Sequence, residues 1–252
     1  PAEEKWGYTV LSVADWDGDG KQDIIINSIW GKIEWLRNPG KSDCLELEAP
    51  QPVLVDWKKN KMPRVAWNWW TPEPGTLTTQ WRTTPVAMDW NKDGLMDLVV
   101  MDTEGYLAYF ERFRAKDGRL LLKPGERIFY STNCSLYDNR KGVVNAEPGV
   151  LRLNELTAGK SGRRKICFTD WDNDGRLDLI VDSQNAAWFR NVKEEKGKVW
   201  YEYMGNVSET ILAGHTTCPT TVDWNGDGVR DLLLGAEDGH FYVVRNRPQP
   251  IY

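Results

Sequence analysis

The sequence predicts an all-β fold assembled from small repeated sheets, and three observations carry that prediction. A nine-residue unit opening on Asp-Trp recurs five times, at Asp15 (DWDGDGKQD), Asp56 (DWKKNKMPR), Asp89 (DWNKDGLMD), Asp170 (DWDNDGRLD) and Asp223 (DWNGDGVRD). Four copies run directly into a short β-branched or leucine stretch, at residues 24–26, 98–100, 179–181 and 232–234. Apolar runs of that length between turn residues read as strands buried on both faces. Finally, no segment of the chain sustains a helical period.

Each element follows in order from the repeat. A turn and a third strand come after each apolar run, at residues 32–37 (KIEWLR), 106–111 (YLAYFE), 187–190 (AWFR) and 241–245 (FYVVR). Pro52, Pro85 and Pro219 each lie four residues before their aspartate, which sets the register of the degenerate second copy independently of its loop. Spacings of 41, 33, 81 and 53 residues average about 50, the size of a four-stranded propeller blade. The expected architecture is therefore one domain over residues 1–252, a β-propeller with repeat loops at 15–23, 56–64, 89–97, 170–178 and 223–231. Five blades close a ring if Trp6 to Val10 supply the outermost strand of the last blade. The alternative is a portion of a six- to eight-bladed ring with blades outside this chain.

In each intact unit, acidic or amide residues occupy positions 1, 3, 5 and 9, and glycine occupies position 6. Oxygen donors at alternate positions of a tight turn converge on one centre, and glycine allows the backbone to make the turn. The donors assigned are Asp15, Asp17, Asp19 and Asp23; Asp89, Asn91, Asp93 and Asp97; Asp170, Asp172, Asp174 and Asp178; Asp223, Asn225, Asp227 and Asp231. Backbone carbonyls of Lys21, Leu95, Arg176 and Val229 at position 7 complete them. Hard oxygen donors with neither histidine nor cysteine point to calcium, about four ions. An EF-hand needs glutamate at position 12, where this chain has Ile26, Val100, Val181 and Leu234. In the second copy Lys58, Asn60 and Arg64 replace donors, so no ion is expected there.

These four stretches, DWDGDGKQDIII, DWNKDGLMDLVV, DWDNDGRLDLIV and DWNGDGVRDLLL, resemble the FG-GAP or VCBS-type repeats of bacterial surface and secreted proteins. Their loop pattern is related to that of integrin α-subunit propellers. The resemblance implies a calcium-binding propeller and a secreted, periplasmic or cell-surface location. It does not single out an activity, because such propellers serve adhesins, carbohydrate-binding proteins, polysaccharide lyases and glycosidases.

In a propeller the loop between the first two strands lies on one face of the disc, and the turns between the second and third strands open on the other. That second face is expected to carry Trp30, Glu104, Arg163, Arg164, Gln184, Asn185, His215, Glu237, Asp238 and His240. Five of the fourteen tryptophans (Trp16, Trp57, Trp90, Trp171, Trp224) belong to the repeat and are structural. Trp67, Trp69, Trp70 and Trp81, with Arg82, fall outside it in a Pro- and Gly-punctuated segment, and aromatic faces on a loop stack on sugar rings. They are the expected binding residues for an extracellular polysaccharide or glycoconjugate, unless they cover a neighbouring blade or subunit. His215 and His240 are the candidate catalytic residues of a carbohydrate-active enzyme, against the plainer role of hydrogen-bonding loop residues. A protein-binding adhesion module is the third alternative. Residues 111–169 depart from the repeat and read as an insertion that extends the binding face or forms a surface loop.

Composition narrows the class further. A net charge of −5 argues against nucleic acid as a partner, since phosphate binding needs clustered lysine and arginine. No apolar run approaches the roughly 18 residues of a membrane span. The chain opens at Pro1 without a basic-then-apolar leader, so its start reads as processed or trimmed. Cys44, Cys134, Cys167 and Cys218 show no C-x-x-C spacing, which excludes a zinc knuckle and leaves buried thiols or one disulfide between distant blades.

Overall fold

The computed structural model describes residues 9–28, 30–40, 46–57, 62–65, 71–134, 136–138, 143–145, 149–154, 163–182, 186–208, 210, 217–236 and 238–246. These residues form twenty strands and no helix, as the repeat predicts. The chain divides into two compact units, Pro1–Arg127 with Arg152–Arg163, and Ile128–Leu151 with Arg164–Tyr252.

The first unit holds two antiparallel meanders. One runs β1 (Leu11–Ala14), β2 (Asp23–Asn27), β3 (Ile33–Leu36) and β4 (Gln51–Pro52) in sequence order. The next is β5 (Val86–Met88), β6 (Asp97–Met101) and β7 (Leu107–Phe110), followed by a hairpin of β8 (Arg112–Arg114) and β9 (Leu120–Leu122). In both meanders the last residue of the first strand stands opposite position 9 of the repeat, Ala14 against Asp23 and Met88 against Asp97. The acidic loop is therefore the connection between first and second strands. β6 and β7 are buried along their whole length, whereas β2 buries only alternate residues, Asp23, Ile25 and Asn27. Trp16, Ile25, Leu98, Val100 and Phe110 share one core. The two first strands are neighbours, with Ala87 N–H donating to Ser12 Oγ at 3.0 Å.

The degenerate second copy opens no meander of its own among the described residues. Its approach, β4, closes the first sheet against β3. The chain then leaves that sheet: Val55 N–H donates to Gly75 O and Asp56 N–H to Leu122 O, each at 2.8 Å. The sequence differs at position 6 among others. In the four intact loops it is Gly20, Gly94, Gly175 or Gly228, at φ of +85° to +88°, a region glycine enters without steric cost. The second copy has Lys61 there.

The second unit repeats the plan with additions. β14 (Ile166–Thr169), β15 (Asp178–Val181), β16 (Ala187–Glu195) and β17 (Lys198–Asn206) form a meander, and β18 (Cys218–Val222), β19 (Asp231–Gly235) and β20 (Phe241–Val244) form a three-stranded one. Thr169 opposes Asp178 and Val222 opposes Asp231, the same register as in the first unit. Thr221 Oγ1 meets Thr169 Oγ1 at 3.0 Å, so first strands again lie side by side. Part of the 111–169 insertion is sheet: β10 (Phe129–Ser131) runs parallel to β17, and β13 (Gly149–Val150) pairs with β10, widening that sheet to six strands. β11 (Leu136–Asp138) and β12 (Val143–Asn145) make a separate hairpin. Of Trp6 to Val10, expected to complete the last sheet, Trp6 to Tyr8 fall outside the described residues, and Val10 bonds Asn27 of the first sheet, its N–H donating to Asn27 Oδ1 at 2.7 Å.

Candidate functional site

The four acidic loops share one backbone scaffold. The carboxylate at position 1 accepts the N–H of position 5 on one oxygen, at 2.9 to 3.1 Å for Asp15, Asp89, Asp170 and Asp223. Its other oxygen accepts the N–H of the position 6 glycine at 2.9 to 3.0 Å. The carboxylate at position 5 accepts the N–H of position 7, from Lys21, Leu95, Arg176 and Val229, at 2.9 to 3.0 Å. Short aspartates make such turns because their side chains reach backbone donors a few residues ahead.

Position 9 has a role that the sequence reading missed. Asp23, Asp97, Asp178 and Asp231 are almost wholly buried at the start of their second strands. One oxygen of each accepts a backbone N–H at or just past the third strand, from Asn38 and Asn246 two residues beyond its end, from Arg112 at the start of β8 and from Asn191 within β16, at 2.7 to 2.9 Å. In three copies the other oxygen accepts the N–H of the position 2 tryptophan, at 3.1 to 3.2 Å for Trp16, Trp90 and Trp171. This carboxylate ties the loop to the sheet's third strand. Burial pushes the Asp178 carboxyl up to about 6 and raises Asp97 as well, although backbone N–H donors oppose the shift in both. The available signal was that position 9 opens the strand, which places its side chain inside the sheet stack.

The gathered oxygens are those of positions 1, 3 and 5. Asp15, Asp17 and Asp19 each bring an oxygen within 4.8 Å of the others, and so do Asp170, Asp172 and Asp174. The other two loops carry Asn91 and Asn225 at position 3, and their amide nitrogens donate to the position 5 carboxylates at 3.0 and 2.7 Å. Asp172 Oδ1 is buried without a hydrogen-bond partner. Carboxylate, amide and backbone oxygens, with no sulfur or imidazole, fit a hard divalent cation.

Of the residues named for the opposite face, the described ones fall in both compact units. Trp67, Trp69, Trp70, Gln184, Asn185, His215 and Glu237 fall outside the described residues. In the first unit Trp81 is half-buried, and the Arg82 guanidinium lies 4.2 Å from its ring centre, with Arg82 itself 3% exposed. Arg82 is thus buried beside Trp81 rather than exposed on a face. Glu104 is ion-paired with Arg127, whose guanidinium stacks on Tyr106 at 3.9 Å. In the second unit His240 is exposed on the turn before β20, where Asp238 takes a hydrogen bond from Tyr242 Oη and lies 3.5 Å from His240 Nδ1. The Tyr242 hydroxyl and the His240 N–H hold the Asp238 carboxyl below its ordinary value.

A feature of the first unit that no motif announced is a recess of about 570 Å³ beside the degenerate copy. Leu54, Val55, Trp57, Met62, Pro74 and Leu121 line it, with Asp56 and Arg119. The Trp57 indole N–H donates to Thr76 O at 3.0 Å, which fixes the ring at the recess wall.

Small antiparallel sheets, each opened by the same acid-rich loop, define a repeat protein of the strand, acidic loop, strand type. The chain belongs to the FG-GAP-like repeat family, whose model matches residues 15–100 and 170–234. No curated protein matches the chain. Among solved structures it is similar to one described as the structural basis of specific recognition of non-reducing terminal N-acetylglucosamine by an Agrocybe aegerita lectin, at 15% identity and a TM-score of 0.40. That similarity covers 95% of this chain and 63% of the other, so the chain spans less than two thirds of that lectin's length.

Proposed function

We propose that this chain is a calcium-stabilised propeller module, secreted or displayed at the cell surface, that binds carbohydrate. The observation that carries the calcium reading is the repetition of one oxygen scaffold in four loops at one register. Positions 1, 3 and 5 of each loop, with the carbonyl of position 7, would hold the ion. A bound divalent charge offsets the repulsion of carboxylates whose oxygens approach within 4.8 Å in two of the loops. Loops of this kind suit the exterior, where calcium is abundant enough to fill weak sites. Melting in calcium against melting in excess chelator tests it: a higher Tm with calcium is expected, and coincident curves together with no metal by elemental analysis would overturn it.

The carbohydrate reading rests on the recess at Trp57. Its volume suits one or two sugar rings, an indole wall offers a stacking face, and Asp56 with Arg119 supplies polar groups for hydroxyls. The expected aromatic cluster, Trp67, Trp69 and Trp70, lies in the sequence between Met62 and Pro74, which both line the recess. Electrophoresis in gels cast with a panel of polysaccharides should retard the protein. Trp57→Ala and Arg119→Ala should each restore free migration, the second without touching the core. Unretarded wild type in every gel sinks this reading, and release of an unsaturated uronate product would replace it with a lyase.

A further inference from the structure

The four loops fall into two electrostatic classes, a division the nine-residue pattern conceals. In the loops of Asp15 and Asp170 position 3 is an aspartate, position 7 is a cation (Lys21, Arg176), and the third strand is followed by or contains a second one (Arg37, Arg190). Arg37 Nε donates to Asp17 at 2.5 Å and Arg37 Nη2 to Asp19 at 3.0 Å, while Lys21 Nζ lies 3.3 Å from Asp19. Arg190 Nε lies 2.6 Å from Asp172 and Arg190 Nη2 3.4 Å from Asp174, with Arg176 also paired to Asp174. Each guanidinium spans positions 3 and 5, two of the three side chains proposed to hold the ion.

The loops of Asp89 and Asp223 lack this arrangement. Position 3 is an amide, and position 7 is Leu95 or Val229. At the place of Arg37 and Arg190 stand Glu111, which pairs with Lys123 at 2.5 Å, and Arg245, which turns to Asp231 at 3.3 Å. Charge at position 3 thus goes with two local cations, and a neutral amide goes with no guanidinium seated on positions 3 and 5. Counted over positions 1, 3, 5 and 9 with the cations paired to them, each acidic loop keeps two negative charges, the Asp223 loop also keeps two because Arg245 sits on Asp231, and the Asp89 loop keeps three, so what separates the two classes is the guanidinium seated on positions 3 and 5.

We propose that Arg37 and Arg190 are resident counter-cations: they hold the two acidic loops together without a metal, and calcium enters those loops only by displacing a guanidinium. This rests on the calcium reading above and adds a threshold to it. The two amide loops take calcium first, and the two acidic loops fill at higher concentration. Selectivity against monovalent ions follows, since a single charge cannot replace a guanidinium that already supplies one in a bidentate geometry.

Calorimetric calcium titration of the wild type beside an Arg37→Gln/Arg190→Gln double variant tests the proposal, with melting of both proteins in chelator as the second readout. The wild type should show a tighter and a weaker pair of sites, and the variant should tighten the weaker pair by roughly fivefold. In chelator the variant should melt about 2–5 °C lower, having lost its counter-cations. An unchanged calcium isotherm, or variant sites that weaken, overturns the proposal. If neither protein binds calcium, the calcium reading falls by itself, and melting in chelator then decides: an unchanged or higher Tm for the variant shows that the arginines are not counter-cations.

Discussion

A buried carboxylate that accepts two backbone N–H groups is worth more to a sheet than its charge suggests, because its removal strands donors that water cannot reach. Asp97 takes the N–H of Arg112 at 2.7 Å, that of Trp90 at 3.1 Å, and the Tyr109 hydroxyl at 3.0 Å. Asp97→Ala should therefore destabilise the protein by about 3 kcal/mol in chelator, measured by urea denaturation, where no metal contributes. A second residue reports through pH. Asp182 is fully buried, one of its oxygens accepts the Lys165 N–H at 3.0 Å, and the other has no partner. Burial pushes its carboxyl from 3.8 up to about 6, against the pull of Arg164 and Lys165. Between about pH 4 and pH 6 the folded chain keeps a proton that the unfolded chain has released. Asp182 therefore makes stability fall as pH rises through that window, by about 2–3 kcal/mol, and then level off. Asp182→Asn should flatten this component of the stability profile, and an identical profile in the variant would show that Asp182 does not set it. None of this was legible in the sequence. Asp182 stands outside the repeat, and Asp97 looks identical in pattern to the donors beside it.

At the scale of elements, the turns after the second strands show how a local rule and a tertiary contact add. Gly105 closes the turn between β6 and β7 at φ +85°, with its N–H donating to Asp102 O at 3.1 Å. A Cβ there would come within 2.3 Å of the Asn154 carbonyl oxygen, whereas Gly118, at a similar φ of +86°, has open space around it. Both alanine variants incur the backbone cost of about 1 kcal/mol, but Gly105→Ala should lose roughly 2 kcal/mol more than Gly118→Ala in denaturant melts. The second strands themselves were readable as apolar runs between turn residues, and β6 and β15 are buried along their whole length, as such runs should be. β10 was not readable. It is a three-residue strand whose partner, β17, lies about 70 residues further on, and parallel pairing carries no hairpin turn to announce it. Between neighbouring sheets, the Arg112 guanidinium stacks 3.5 Å from the Trp16 ring, and the Asn246 amide donates to Trp171 O at 2.8 Å. The residue that caps position 9 in one repeat thus reaches the tryptophan of another.

For the whole molecule, the proposed calcium sites would couple metal to net charge. Four divalent cations would carry the net charge of −5 to +3, so native electrophoresis at pH 7 in saturating calcium should reverse the direction of migration seen in chelator. Migration toward the same electrode in both would mean that the loops do not fill together. The sequence by itself determined the acid-loop scaffold, the strands around it and their register, because those rest on hydrogen bonds between residues a few places apart and on glycine at one position. Only the tertiary structure decided which acids face the loop centre and which enter the sheet, that two loops carry their own guanidinium, and that the second copy yields its place to a recess. Those outcomes depend on groups from 13 residues apart (Asp178 and Asn191) to 66 apart (Asp56 and Leu122), brought together by burial and charge pairing, and no periodicity along the sequence encodes them.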